Sequence, residues 1–186
     1  SVVYGHEQSE RVSVNVDDVF GSVPAGTVTV KAGKSVACTI RLKARKGSCT
    51  VPSTRFGPGS IGVTAFYGGG ISFQTSHSVA QTFTVLKATT RTRLALSTSS
   101  VTSGQERAER LSVTVAPQFR GTPAGTVRVG TGTRTLCTIV LRSGKGSCTL
   151  TAKDLRPGTY RLTASYPGKG GFTGSASPAK TLRVAR

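Results

Sequence analysis

PAGTVTV at residues 24–30 returns as PAGTVRV at residues 123–129. A Pro-Ala-Gly turn signal followed by strict apolar and polar alternation reads as a loop entering a half-buried strand. Outward from this stretch the match continues without a gap. Residue n aligns with n+99, giving 38 identities over 87 aligned positions. KGSCT occurs at 46–50 and again at 145–149, and Cys38, Tyr67 and Phe73 fall on Cys137, Tyr166 and Phe172. A 99-residue period is too long for a solenoid repeat and describes two whole domains in tandem. The boundaries expected from it are 1–88 and 89–186, joined by a short linker from Leu86 to Thr90.

Each copy alternates with period two. In the second copy the pattern marks seven strands: Leu94 and Leu96; Leu111, Val113 and Val115; Val127 and Val129; Leu136 to Leu141; Cys148 and Leu150; Tyr160, Leu162 and Ala164; Leu182 and Val184. Turn signals such as Arg120-Gly121, Ser143-Gly144 and Pro167-Gly168 separate them, which predicts an all-β fold of two antiparallel sandwiches. Apolar residues make up 36% of the chain and aromatics 6%, with no Trp and no Met, so the cores must be aliphatic and modest. Domains of this size bury a smaller fraction of their surface than larger ones, and a covalent staple is a common remedy.

The run Leu155-Arg156-Pro157-Gly158-Thr159-Tyr160 has the spacing of a tyrosine corner, in which a Tyr near the start of the sixth strand returns its hydroxyl to upstream backbone. In the first copy Ile61 replaces that Tyr. Taken together, GTVTV or GTVRV, LRPGTY, TASY and the closing TLRV resemble the bacterial Ig-like repeats (group 3-like) of secreted or surface proteins, mostly actinobacterial. The resemblance covers nearly the whole chain. It implies tandem immunoglobulin-like modules at the cell surface or outside the cell, used for spacing, adhesion or contact with carbohydrate, and it implies no reaction. Ser1 aligns with Ser100, so the first module is expected to lack the opening strand, Arg91 to Ser97, of the second. Its empty edge is then open to strand donation or dimerisation. Residues 1–8 carry no signal-peptide pattern, so a leader for export is expected to have been removed or to lie upstream.

The four cysteines form one C-x10-C pair in each copy. Zinc sites use closer Cys pairs with supporting His, so the expected outcome is two intradomain disulfides, Cys38–Cys49 and Cys137–Cys148. With a turn around Lys43 to Lys46, the first pair lies across a hairpin, within the reach a disulfide needs. Each bridge is expected to contribute about 3 kcal/mol and implies an oxidising compartment.

The net charge is +18, divided as +5 before Arg91 and +13 from Arg91 onward. Such a charge favours polyanions over any particular fold. Strand parity points Arg128, Arg161 and Arg183 outward on strands that neighbour one another in an Ig-like sheet, so the three are expected to share a face. Their counterparts in the first copy are Thr29, Gly62 and Thr84. A second basic group, Arg41, Lys43, Arg45 and Lys46, sits in the stapled hairpin of the first module. The plain alternative is that these cations only keep the surface soluble.

The expected partners are an acidic polysaccharide, a cell-wall polymer or another protein, with no sequence-specific reading of nucleic acid, since recognition helices and surface aromatics are lacking. No apolar run reaches the length of a membrane span. Catalysis is not expected. His6 and His77 have no partner cluster, and no nucleophile elbow or phosphate loop is present. Glu7 and Glu10 recur as Glu106 and Glu109 beside Arg11 and Arg110, which reads as ordinary surface pairing. Asp17 and Asp18 are too few for a calcium shell, and no metal or cofactor is expected. A secreted regulator, such as a protease inhibitor using a stapled loop, is the alternative function.

Lacking its corner tyrosine, the first module should be the less stable of the two. Thermal melts of the separated modules should show it unfolding at the lower temperature.

Overall fold

A computed structural model describes residues 1–152 and 154–186. The chain divides into two compact units, Ser1–Lys87 and Ala88–Arg186. The first contains β1 (Val2–Val3), β2 (Arg11–Asn15), β3 (Thr27–Ala32), β4 (Ser35–Arg41), β5 (Lys46–Thr50), β6 (Gly59–Tyr67), β7 (Ser76–His77) and β8 (Gln81–Leu86). The second contains β9 (Thr90–Leu96), β10 (Ser100–Thr102), β11 (Arg110–Pro117), β12 (Gly125–Thr131), β13 (Arg134–Leu141), β14 (Lys145–Thr149), β15 (Gly158–Tyr166), β16 (Ser175–Ala176) and β17 (Lys180–Ala185). Short 3-10 turns at Glu7–Ser9 and Glu106–Ala108 precede β2 and β11.

In the second unit one sheet runs β10-β17-β15-β12-β13, with β16 beside β15, and the facing sheet runs β14-β11-β9. The first unit repeats this as β1-β8-β6-β3-β4, with β7 beside β6, against a sheet reduced to β2-β5. The seven expected strands of the second copy are all present. Alternation buries Val127 and Val129 on β12, Leu162 and Ala164 on β15, Leu182 and Val184 on β17, and Leu111, Val113 and Val115 on β11.

The opening strand is split in two. β9 pairs antiparallel with β11, and β10 then crosses to the other sheet, where it runs parallel to β17. The first unit keeps the crossing half, as β1 parallel to β8, and has no counterpart of β9. These parallel ladders were not visible as separate strands in the sequence, because each spans only two or three residues.

The linker is shorter than the spacing suggested. Leu86 is the last residue of β8 and Thr90 the first of β9. Between them, Ala88 is fully buried, donates to the Gly171 carbonyl and accepts from the Thr173 amide, each at 2.9 Å. It is part of the second unit.

Both disulfides form, with Cα separations of 6.2 Å for Cys38–Cys49 and 6.6 Å for Cys137–Cys148. The chain does reverse where expected, with Lys43 and Lys46 exchanging backbone hydrogen bonds. Beyond that turn, however, the two strands diverge into different sheets. Cys38 pairs with Val30 on β3, and Cys49 pairs with Val12 on β2. Each bridge therefore ties one sheet to the other across the core. The divergence has a steric cause: a Cβ on Gly47 would lie 2.3 Å from Ile40 Cγ2, and one on Gly146 would lie 2.4 Å from Ile139 Cγ2. Only glycine lets the strand leave the corner so close to its predecessor, which accounts for the glycine of KGSCT in both copies.

The glutamates overturn the surface-pair expectation. Glu7, Glu106 and Glu109 have no solvent exposure. Arg11 and Arg110 turn instead to the hydroxyls of Ser48 and Ser147. Glu109 accepts from the Ser97 amide and hydroxyl, both at 3.0 Å, and from the Thr98 amide at 2.9 Å. Those donors lie where the chain leaves β9 for β10, so the carboxylate fixes the crossing between sheets. Glu7 accepts from the Thr54 amide at 2.9 Å. A buried carboxylate is tolerable when it collects several donors, and removing it strands each of them. Glu109→Ala should destabilise the second unit by about 3 kcal/mol, measured by urea unfolding, whereas Arg110→Ala should cost well under half of that.

Candidate functional site

Arg128, Arg161 and Arg183 are exposed and lie on β12, β15 and β17, three consecutive strands of one sheet. Register fixes how they are arranged. Arg128 stands opposite Thr138 on one side and Ser165 on the other. Arg161 stands opposite Thr181, and Arg183 opposite Thr159 and Ser100. Arg161 and Arg183 are thus diagonal neighbours, while Arg128 lies four residues, about 13 Å, further along the strand direction. No two arginines face each other directly. This spacing avoids the worst like-charge repulsion and sets each guanidinium among Thr and Ser hydroxyls.

The outer face also carries Thr126, Thr163, Val140 and Thr102, and among the described residues no Asp or Glu lies on it. The second unit has three acids. Glu106 and Glu109 are buried, and Asp154 accepts from the Thr151 amide at 2.7 Å and lies 4.0 Å from Arg134. The positive field of the face is therefore uncompensated from outside.

The basic group of the first unit is arranged differently. Arg41 projects from β4 opposite Thr27, Lys43 and Lys46 close the corner, and Arg45 turns away to donate to the Gly21 carbonyl. It forms a rim at the junction of two sheets. On the outer face of the same unit, Lys31 lies 4.8 Å from the Phe66 ring centroid, and Phe66 stacks on His77 at 6.0 Å. Sequence reasoning missed this trio because the three residues come from separate strands and none belongs to a motif. Asp17 accepts from Asn15 and Asp18 from the Ser22 amide. Among the described residues no group of three or more His, Cys, Asp and Glu is placed to hold a metal ion. No helix among them is long and apolar enough to cross a membrane.

The frame behind these faces rests on tyrosines. Tyr160 donates its hydroxyl to the Arg156 carbonyl at 2.9 Å. Tyr67 and Tyr166, noticed in the sequence only as a matched pair, donate to the Ala25 and Ala124 carbonyls at 2.8 and 3.0 Å. Those carbonyls belong to the repeated PAGTV stretch, so each Tyr pins the loop that delivers β3 or β12 to the sheet. Burial raises the Tyr166 phenol above its ordinary pKa, with a backbone hydrogen bond to Lys169 pulling the other way.

Comparison with known proteins yields a family match to the bacterial Ig-like domain (group 3) over residues 94–185. No curated protein matches the chain. Among solved structures, a tetra-tandem repeat from the extending region of a large adhesion protein is 16% identical, covering 92% of this chain and 45% of that one, with a TM-score of 0.50. Fibronectin(III)-like modules of Clostridium thermocellum CbhA are 10% identical, covering 99% of this chain and 87% of theirs, with a TM-score of 0.40. Domains 4 and 5 of the S-layer protein SbsC are 16% identical, covering 92% and 80%, with a TM-score of 0.35. At 16% identity the likeness to the adhesion-protein repeat is one of fold alone.

The corner that carries the first basic group is strained. Ala44 and Arg45 both have positive φ, 46° and 72°, where the second unit places Ser143 and Gly144. Left-handed backbone costs a non-glycine residue roughly 1–2 kcal/mol. Ala44→Asn with Arg45→Gly should therefore stabilise the first unit by about 1 kcal/mol, read as a rise in its melting temperature, even with the Arg45 contact to Gly21 lost.

Proposed function

We propose, from the match of residues 94–185 to the bacterial Ig-like domain (group 3), that the chain is a non-catalytic binding and spacing element outside the cell or at its surface, and that it holds acidic polymers. The carrying observation is the outer sheet face of the second unit, where Arg128, Arg161 and Arg183 stand exposed among Thr and Ser with no acid beside them. An extended anionic chain, such as an acidic polysaccharide or wall polymer, can lie along the strands and meet Arg128 at one end and the Arg161–Arg183 diagonal at the other. Arg suits this task because its planar fork matches carboxylate and phosphate and stays charged at any physiological pH. Small hydroxyl side chains around it leave the face flat and offer further hydrogen bonds to sugar or phosphate oxygens. Arg41, Lys43 and Lys46 add a second, smaller basic rim on the first unit. Family and disulfides support the extracellular setting, since such bridges persist in oxidising compartments.

Replacing Arg128, Arg161 and Arg183 together by Thr should sharply reduce retention on heparin and on isolated anionic wall polymer. The slope of log affinity against log salt should fall by roughly one per arginine removed. The control replaces Arg107, Arg120 and Lys169, which are not on this face; an equal loss in the control would refute the assignment in favour of diffuse charge.

A further inference from the structure

The solvent side of the other sheet of the second unit, β14-β11-β9, carries cations too. Alternation along β9 points Arg91 and Arg93 outward, while Thr92 and Leu94 are buried. On β11 it points Arg110, Ser112 and Thr114 outward, and on β14 Lys145, Ser147 and Thr149. Register sets Thr114 between Arg93 and Lys145, so these two cations stand about 10 Å apart across the sheet with a hydroxyl between them. Arg110 lies four residues, about 13 Å, along β11 from that row. It donates to the Ser147 hydroxyl at 2.7 Å, a bond that takes one of the several N–H donors of its guanidinium. A groove of about 520 Å³ runs beside them, lined by Arg110, Arg142 and Lys145 together with Ser112, Thr114 and Ser147.

This face has the same construction as the one that bears Arg128, Arg161 and Arg183. Its strand cations Arg91, Arg93, Arg110 and Lys145 pair in register with Ala116, Thr114 and Thr149 and never with one another. No Asp or Glu occurs on β9, β11 or β14. Both sheets bury their other side in one core, Val113 and Val115 from this sheet and Val127 and Leu162 from its partner. The two basic faces therefore look in opposite directions, with about 10 Å between the sheets and the side chains reaching further out on each side. A straight run of polymer can lie on one of them but not on both.

We propose that the second unit is a cross-link, which binds one acidic polysaccharide chain on each outer face and so ties two chains together. The inference rests on the polymer-binding role of the Arg128, Arg161 and Arg183 face, and adds to it a second face and a valence of two. Cations gathered on both sides of one small domain repel one another and favour neutralisation by anions on both sides. The occupant of the second face is a sugar polymer and not a stacked nucleic acid strand, because β9, β11 and β14 carry no aromatic residue on which a base could stack. Carboxylate or sulfate groups of the polymer meet Arg93, Arg110 and Lys145, and the hydroxyls of Ser112, Thr114 and Ser147 meet its ring oxygens and hydroxyls. Holding a chain on each side converts weak single contacts into a joined network.

The probe is heparin, presented twice. The full chain captured on immobilised heparin should take up labelled soluble heparin in a second step. Replacing Arg91, Arg93, Arg110 and Lys145 by Thr should leave the protein on the surface while uptake of soluble heparin falls roughly tenfold or more. The variant with Arg128, Arg161 and Arg183 replaced by Thr should behave alike. Thr suits exposed strand positions, and a milder variant, Arg91→Thr with Arg93→Thr, keeps the Arg110 bond to Ser147 and should still lower uptake severalfold at unchanged melting temperature. Mixing the two single-face proteins should not restore uptake, since each molecule then has only one face. Uptake restored by mixing would overturn the cross-link in favour of two associated copies, and uptake as strong in either variant as in the parent would overturn it in favour of diffuse charge. No uptake by the parent, with retention weakened by both sets of substitutions, would overturn it in favour of one polymer wrapped around the unit and leave the polymer-binding reading standing. Retention unchanged in the Arg128, Arg161 and Arg183 variant would remove that reading and the cross-link with it.

Discussion

Each unit is held across its two sheets by one covalent link at the corner where the chain passes from one sheet to the other. Cys38–Cys49 and Cys137–Cys148 join β4 to β5 and β13 to β14. Without Trp and with few aromatics, the facing aliphatic surfaces alone give a shallow core, and the bridge fixes how far apart the sheets stand. Gly47 and Gly146 belong to the same device, since the strand after the corner must pass against Ile40 or Ile139 before the cysteine can reach across. Everything outward of this, including the flat face that presents the arginines, inherits its position from that spacing.

Charge is distributed by the same architecture. Two of the three acids of the second unit are buried, Glu109 serving backbone and hydroxyl donors there, so the surface is more positive than composition alone suggests. Glu109 acts as an internal fastener, and among the described residues no acid lies on the outer face that bears the three arginines. A structural requirement thus sharpens the electrostatic one: the burial that stabilises the crossing from β9 to β10 also clears acids from the exterior.

Period-two alternation made the strands legible, and the duplicated PAGTV and KGSCT stretches made the tandem organisation legible. The outward parity of Arg128, Arg161 and Arg183 could be read as well, because it depends only on counting along a strand. What could not be read was anything decided by a third dimension. C-x10-C is compatible with a flat hairpin or with a corner between sheets, and only the close approach at Gly47 separates them. A Glu beside an Arg at a strand start looks like a surface pair whether or not the preceding turn folds it inward, so the buried carboxylates were invisible. The Lys31, Phe66 and His77 trio was invisible for the same reason: cross-strand neighbours leave no trace in local sequence.

The parallel ladders have a mechanical side. β1 enters each hydrogen-bonded pair from the amino-terminal end while β8 leaves it at the carboxyl-terminal end, and β10 and β17 repeat the arrangement. Tension applied to the ends of such a pair pulls the strands past one another, so the hydrogen bonds resist together in shear and do not peel apart in turn. Two register pairs carry the load in the first unit and three in the second. Should a unit yield, its bridge still closes a span of eleven residues, holding back roughly 36 Å of chain. The corner that sets the thickness of the sandwich thereby also limits how far it can be drawn out.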